Sequence, residues 1–210
     1  MSNVKDKLII SVANEPYEKI MELAMAYRKI ELRLTQLFLT NKQILKIIDS
    51  AELVVITGIA ELDNSNDFHK INFNCNQSKK IIIDCPAEKI NNKNLLKYIE
   101  NPATKKILSY HQFSNIEKIE NIFPSLLKKM NTDINKYDII KIAVSVENTD
   151  DENELFFLFT KYPAFNFILI PLGEKYQKSR IKSLKLGSKY MFCYVNNPIT
   201  ACQLHYEEYI

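Results

Sequence analysis

Lys106-Ile-Leu-Ser-Tyr110 is followed by an apolar stripe at Ile116, Ile119, Phe123, Leu126, Leu127 and Met130, and then by Asp138-Ile-Ile-Lys141-Ile-Ala-Val144. The stripe recurs at spacings of three and four, the mark of one helix face. The two flanking runs are short and continuously apolar, as strands buried on both faces are. The stretch therefore reads strand, helix, strand. Strands joined by a crossover helix lie parallel, and a parallel sheet needs cover on both faces.

The same alternation runs through the chain. Strand-like runs are predicted at residues 8–13, 30–34, 53–58, 80–85, 106–110, 138–144, 167–172 and 189–195. Eight runs in 210 residues leave about 26 residues per unit, room for a strand, a helix and two short loops. Tyr17, Ile20, Met21, Ala24 and Tyr27 form an early helical stripe, and Thr40 with Gln43, Ser114 with Glu117 and Thr149 with Glu152 fit the capping box that opens a helix. Residues 60–78 are polar and asparagine-rich, so the third helical segment is expected to be shortened or irregular. Eight such units close most simply into a compact α/β fold, the (β/α)8 TIM barrel, as one domain over residues 1–210. An open doubly wound sheet is the competing architecture. No Gly-x-Gly-x-x-Gly follows any strand, which removes the argument for a dinucleotide site.

Composition narrows the function. Lysine and arginine number 28 against 25 acids, and a formal charge of +3 argues against a dedicated nucleic-acid or membrane-surface protein. The apolar runs are strand-sized, short of the roughly 20 residues of a membrane span. The opening Met1-Ser2-Asn3-Val4-Lys5-Asp6 lacks the apolar stretch of a signal peptide. Cys75, Cys85, Cys193 and Cys202 lie far apart, so they read as reduced thiols of a cytoplasmic protein. Close metal-ligand pairs are missing, His69 and Cys75 being the nearest, and no metal is expected.

Barrel chemistry is built at the carboxyl ends of the strands. The polar residues there are Ser11, Glu31 and Arg33, His111 at the end of the fifth strand, Lys141 in the sixth, Arg180 in the loop after the seventh and Gln203 beyond the eighth. Lys141 lies in an otherwise apolar run. Burying an ammonium is costly, and a neutral amine is the form that attacks a carbonyl to make a Schiff base; a lysine snorkelling out at the strand end is the other reading. His111 shares a strand face with Ser109 and would stand beside Lys141, where an imidazole can move protons near neutral pH. Glu31 and Arg33 share a face, either as an internal ion pair or as partners for the hydroxyls of a polar ligand. Arg180 suits a carboxylate.

These residues resemble type I 3-dehydroquinate dehydratase, the Schiff-base-forming class. The similarity runs along nearly the whole chain and is carried by Ile10-Ser11-Val12, Glu31-Leu-Arg33, Ser109-Tyr-His111-Gln-Phe113, Lys141-Ile-Ala143, Ser179-Arg180, Gly187-Ser188 and Gln203. The resemblance implies a cofactor-free lyase of the shikimate pathway, in aromatic amino-acid biosynthesis. Lys141 would form an imine with the ketone of 3-dehydroquinate. His111 would take the C2 proton and serve imine formation and hydrolysis, and water would leave from C1 to give 3-dehydroshikimate. Arg180 and Gln203 would hold the substrate carboxylate, Glu31 and Arg33 the ring hydroxyls, and Phe192 would pack on the ring. Ser11 matches a first-strand serine, Thr200 stands where the family has a serine, and the family suggests a homodimer.

The chain departs from the family at the third strand, which ends Thr57-Gly58-Ile59, so that Ile59 replaces an arginine. The glutamate that orients the histidine falls at Asp63 or at Glu61, and the following glycines are Asn64-Ser65. Thr200-Ala-Cys-Gln203 replaces Ala-Pro-Gly-Gln. A barrel of another Schiff-base activity, aldolase-like, and a non-catalytic binding barrel are the alternatives these departures raise.

Overall fold

β1 (Leu8–Val12) is buried at every position and apolar except at Ser11, as suits a parallel strand covered on both faces. β2 (Lys29–Arg33), β3 (Leu53–Thr57), β4 (Ile81–Pro86), β5 (Lys105–Gln112), β6 (Ile139–Ser145), β7 (Phe167–Leu172) and β8 (Met191–Cys193) follow. An α-helix comes after each of the first seven: α1 (Tyr17–Tyr27), α2 (Asn41–Ser50), α3 (Cys75–Lys80), α4 (Lys93–Ile99), α5 (Ile119–Met130), α6 (Thr149–Lys161) and α7 (Ser179–Leu186). After β8 that place is taken by a 3-10 helix, Tyr206–Tyr209. The structure, a computed structural model, describes residues 4–62, 68, 71, 73, 75–113 and 117–210. Its contacts group into two compact units, one of Ile9–Lys106 and one of Met1–Leu8 with Ile107–Ile210.

In the first unit the strands run parallel in the order β1-β2-β3-β4. Register places Ser11, Glu31, Val55 and Ile82 in one row, and Arg33 beside Thr57 two residues further along the same face. The opposite face takes the helices: α1 buries Ile20, Leu23 and Ala24, and α2 buries Ile44, Ile47 and Ile48. The Thr40–Gln43 capping box forms as expected, with Gln43 N donating to Thr40 Oγ1 at 3.3 Å and Thr40 N to Gln43 Oε1 at 2.8 Å. The third helix is short, six residues, as its sequence implied.

In the second unit β5, β6 and β7 are parallel neighbours. Phe123 of α5 packs edge-on against Tyr162, Phe165 and Phe167, with ring centroids 4.7, 5.2 and 5.0 Å away. Such contacts add to the area that α5 buries through Ile119, Ile122 and Leu126. The Thr149–Glu152 box does not form. Asn148 caps α6 instead, its side chain accepting from the amides of Asp150 and Asp151, and Glu152 turns to Lys182. The Ser114–Glu117 box falls partly outside the described residues. Ser188, after Gly187 ends α7, is fully buried; its hydroxyl accepts from Leu169 N and meets Ser183 Oγ at 2.7 Å, which makes that family motif a helix-to-strand clasp.

Candidate active site

Pleating decides what the second unit presents. Lys141 pairs in register with Ser109 on one side and Ile168 on the other, and His111 pairs with Ala143. All five lie on the face turned away from the α5–α7 layer, because Phe167 and Leu169, which meet those helices, alternate with Ile168. Strands about 4.8 Å apart, with two residues rising about 6.6 Å, put the Lys141 and His111 Cα atoms about 8 Å apart. Both side chains are long enough to reach a molecule between them.

Lys141 is 6% exposed, and its Nζ lies 5.1 Å from the centroid of the Phe192 ring, itself buried on β8. The ammonium therefore rests over an aromatic face instead of bulk water. His111 stands exposed near the end of β5, stacked on Phe113 at 6.3 Å with the ring planes 6° apart. An exposed imidazole exchanges protons with water, which a recycling acid–base group needs.

Arg180 is not in the loop after β7, as expected, but in the first turn of α7, because the helix already begins at Ser179. It is 3% exposed and its Nε donates to Pro171 O at 3.3 Å. Burial holds its pKa below the usual guanidinium value, against the opposing pull of Tyr209 and Cys202. Gln203 is buried; its Oε1 accepts from Ile199 N at 3.0 Å and its backbone N donates to Thr200 O at 3.0 Å. Thr200 is exposed, and Gln177 Nε2 holds the turn by donating to Ala201 O at 3.1 Å.

The first unit brings together Ser11, Glu31 and Arg33 on one face. Ser11 and Glu31 are buried register partners, and Arg33 Nε stands 4.0 Å from Glu31 Oε1. At β3 the chain turns through Gly58 at φ 85°, where a Cβ would come within 3.1 Å of Thr35 Cγ2. Ile59 is buried. Glu61 is paired with Lys89 at 2.5 Å, and Asn92 and Asn94 donate to Ala60 O and Leu62 O. Asp63 lies outside the described residues, as does His69.

Two residues here, Asp84 and Lys89, went unnoticed in the sequence, and a third, Thr57, was read only as the end of its strand. Asp84 is buried in β4, and alternation from Ile82 places it on the Glu31 face. Thr57, the register partner of Arg33, is its neighbour in that row, and Lys89 is the cation beside Glu61. A lone aspartate closing Ile81-Ile-Ile-Asp84 was the available signal for the first. Among the described residues no three of histidine, cysteine, aspartate and glutamate form a group that could hold a metal ion, and no helix is long and apolar enough to cross a membrane. Cys85, Cys193 and Cys202 are thiols, and burial pushes that of Cys193 up to about 12.

A primary amine on an apolar face, an imidazole at its rim and a buried guanidinium suit a substrate with a carbonyl and an anionic group. A family model described as type I 3-dehydroquinase matches residues 61–209. A 3-dehydroquinate dehydratase of Methanococcus maripaludis is 30% identical over 128 residues, 60% of this chain and 56% of that relative, so the chain spans little more than half the relative's length. The crystal structure of 3-dehydroquinate dehydratase from Aquifex aeolicus is similar over 97% of this chain and 95% of that one, at a TM-score of 0.69 and 17% identity. That from Geobacillus kaustophilus is similar over 97% and 88%, at 0.71 and 14%. At such identities the likeness concerns the fold, and the chain is a (β/α)8 barrel, as its strand–helix alternation implied.

Proposed function

The chain belongs to the type I 3-dehydroquinase family, and we propose that it converts 3-dehydroquinate to 3-dehydroshikimate and water through an imine on Lys141. One observation carries the proposal. Lys141 is an amine buried on an apolar strand, and His111 lies on the same face two residues beyond its register partner.

In this reading the Lys141 amine adds to the ring ketone, and the carbinolamine loses water to give an iminium ion. His111 removes the adjacent C2 proton, the electron pair passes into the iminium, and the resulting enamine expels the C1 hydroxyl. The protonated His111 donates to that leaving oxygen, which departs as water. Water then hydrolyses the product imine and returns the amine. No cofactor is needed, because the iminium is the electron sink.

Arg180 and Gln203 hold the carboxylate, Glu31 and Arg33 the ring hydroxyls, and Phe192 lies against the ring, with Ser11 and Thr200 at the margin. Asp63 or Glu61 orients His111; the Lys89 partner of Glu61 favours Asp63 for that task. The same reading makes residues 1–210 one domain of a cytoplasmic homodimer in aromatic amino-acid biosynthesis.

The test is to mix the purified protein with 3-dehydroquinate and follow absorbance of the conjugated enone. Enone formation that is lost in Lys141→Ala is the expected result. Carbon–carbon cleavage products would favour the aldolase-like alternative, and neither product at any protein concentration would mark a non-catalytic barrel.

A further inference from the structure

Gln177 makes hydrogen bonds in two directions. It stands between the 3-10 helix Glu174–Tyr176 and α7, its backbone helical at φ −52° and ψ −46°. Its carbonyl accepts from Arg180 N at 3.2 Å, which closes the turn that carries Arg180. Its side chain leaves that helix, and Nε2 donates to Ala201 O at 3.1 Å, 24 residues further along the chain. One half-buried glutamine therefore touches both the turn bearing Arg180 and the turn bearing Gln203.

The Arg180 side of this bridge is rigid. Tyr176 N donates to Gly173 O at 3.1 Å and Ile181 N to Lys178 O at 3.0 Å, on either side of Gln177. Arg180 Nε donates to Pro171 O near the end of β7. The other turn is held at its base: Tyr194 N donates to Leu204 O at 3.2 Å, and Tyr206 N to Tyr194 O at 2.8 Å. His205 Nε2 adds a bond to Val195 O at 2.9 Å. Within the segment, Gln203 N donates to Thr200 O and Ile199 N to Gln203 Oε1, so residues 199–203 form one closed turn. A closed turn on a closed base can still swing as a body. The Gln177 bond to Ala201 O grips it from outside and opposes that swing.

Such a grip matters to an anion that two segments must hold together. If the spacing of the two groups is not set beforehand, only the fraction of molecules with the right spacing binds, and the apparent affinity falls by that fraction. A glutamine suits the task because its amide donates to a carbonyl without bringing a charge. A glutamate would set a carboxylate against the Ala201 oxygen and repel an incoming anion. A lysine would offer the anion a rival cation.

We propose that Gln177 is a positioning residue that holds the Gln203 turn at a fixed distance from Arg180, so that both meet the substrate carboxylate at once. This rests on the reading of Arg180 and Gln203 as the carboxylate-holding pair. The experiment is steady-state kinetics with 3-dehydroquinate on the full chain carrying Gln177→Met, Gln203→Ala, or both. Methionine keeps the length of the side chain and lacks the donor. Gln177→Met should raise KM roughly three- to tenfold, with kcat within about twofold and a melting temperature within about 3 °C of wild type. In the Gln203→Ala background the same change should have no further effect on KM, because the turn then has nothing left to present. A KM raised by Gln203→Ala but unmoved by Gln177→Met would overturn the positioning role alone, as would effects of the two changes that simply multiply. A KM unmoved by Gln203→Ala, or a wild type without turnover, would overturn the underlying reading and the positioning role with it.

Discussion

Lys141 Nζ stands 5.1 Å from the centroid of the Phe192 ring, and both side chains are buried. The ring shields the amine from water and offers a flat apolar surface beside it. Phe192→Leu keeps the site apolar but removes the aromatic face, worth about 1–2 kcal/mol to a desolvated ammonium or a packed ring. The expected outcome is a fall in kcat/KM of roughly tenfold. Steady-state kinetics on 3-dehydroquinate would measure it, and an unchanged kcat/KM would remove Phe192 from the site.

His111 lies one pleat beyond the Ser109–Lys141 pair, exposed and stacked on Phe113. Replacing it with alanine deletes the proposed proton carrier while leaving the buried amine in place. Turnover should drop by roughly 10²-fold or more, the usual scale of general acid–base catalysis. Wild-type turnover in His111→Ala would end its proton-transfer role.

Glu152 and Lys182 join α6 to α7 at 2.5 Å, with Lys182 Nζ also 5.2 Å from the Phe156 ring centroid. Burial pushes the Glu152 carboxyl up, but hydrogen bonds from Lys182 and Ser179 outweigh it and hold the pKa below the usual value. A lowered folded-state pKa means the pair stabilises fully above the unfolded value, about 4.3, and stops stabilising as pH falls through the folded one. Lys182 is half exposed, so Glu152→Gln should lower the unfolding free energy by only about 0.5–1 kcal/mol at neutral pH. Urea unfolding at neutral pH and well below the carboxylate range would show the gap closing in acid; an equal gap at both would contradict the ion pair.

The strands were legible because a parallel strand covered on both faces is mostly apolar, so Ile139–Ser145 and Phe167–Leu172 stand out as apolar runs. Lys141 was legible for the same reason, as the exception within such a run. The α6 cap was not: Asn148 and Thr149 are adjacent, each capable of capping, and tertiary demand for Glu152 at Lys182 selects between them. Asp84 and Lys89 became meaningful only once register and the turn after β4 placed them beside Thr57 and Glu61. Arg180 was expected in the loop after the seventh strand and stands instead in the first turn of α7, since nothing local marks Ser179 as a helix start.

The most direct test traps the covalent intermediate. Borohydride added to the protein with 3-dehydroquinate reduces any imine to a stable amine, and peptide mass spectrometry then locates it. The expected result is a single adduct, on Lys141, that is absent from Lys141→Ala. An adduct on another lysine, or none while dehydration proceeds, would contradict the assignment of Lys141 as the Schiff-base residue.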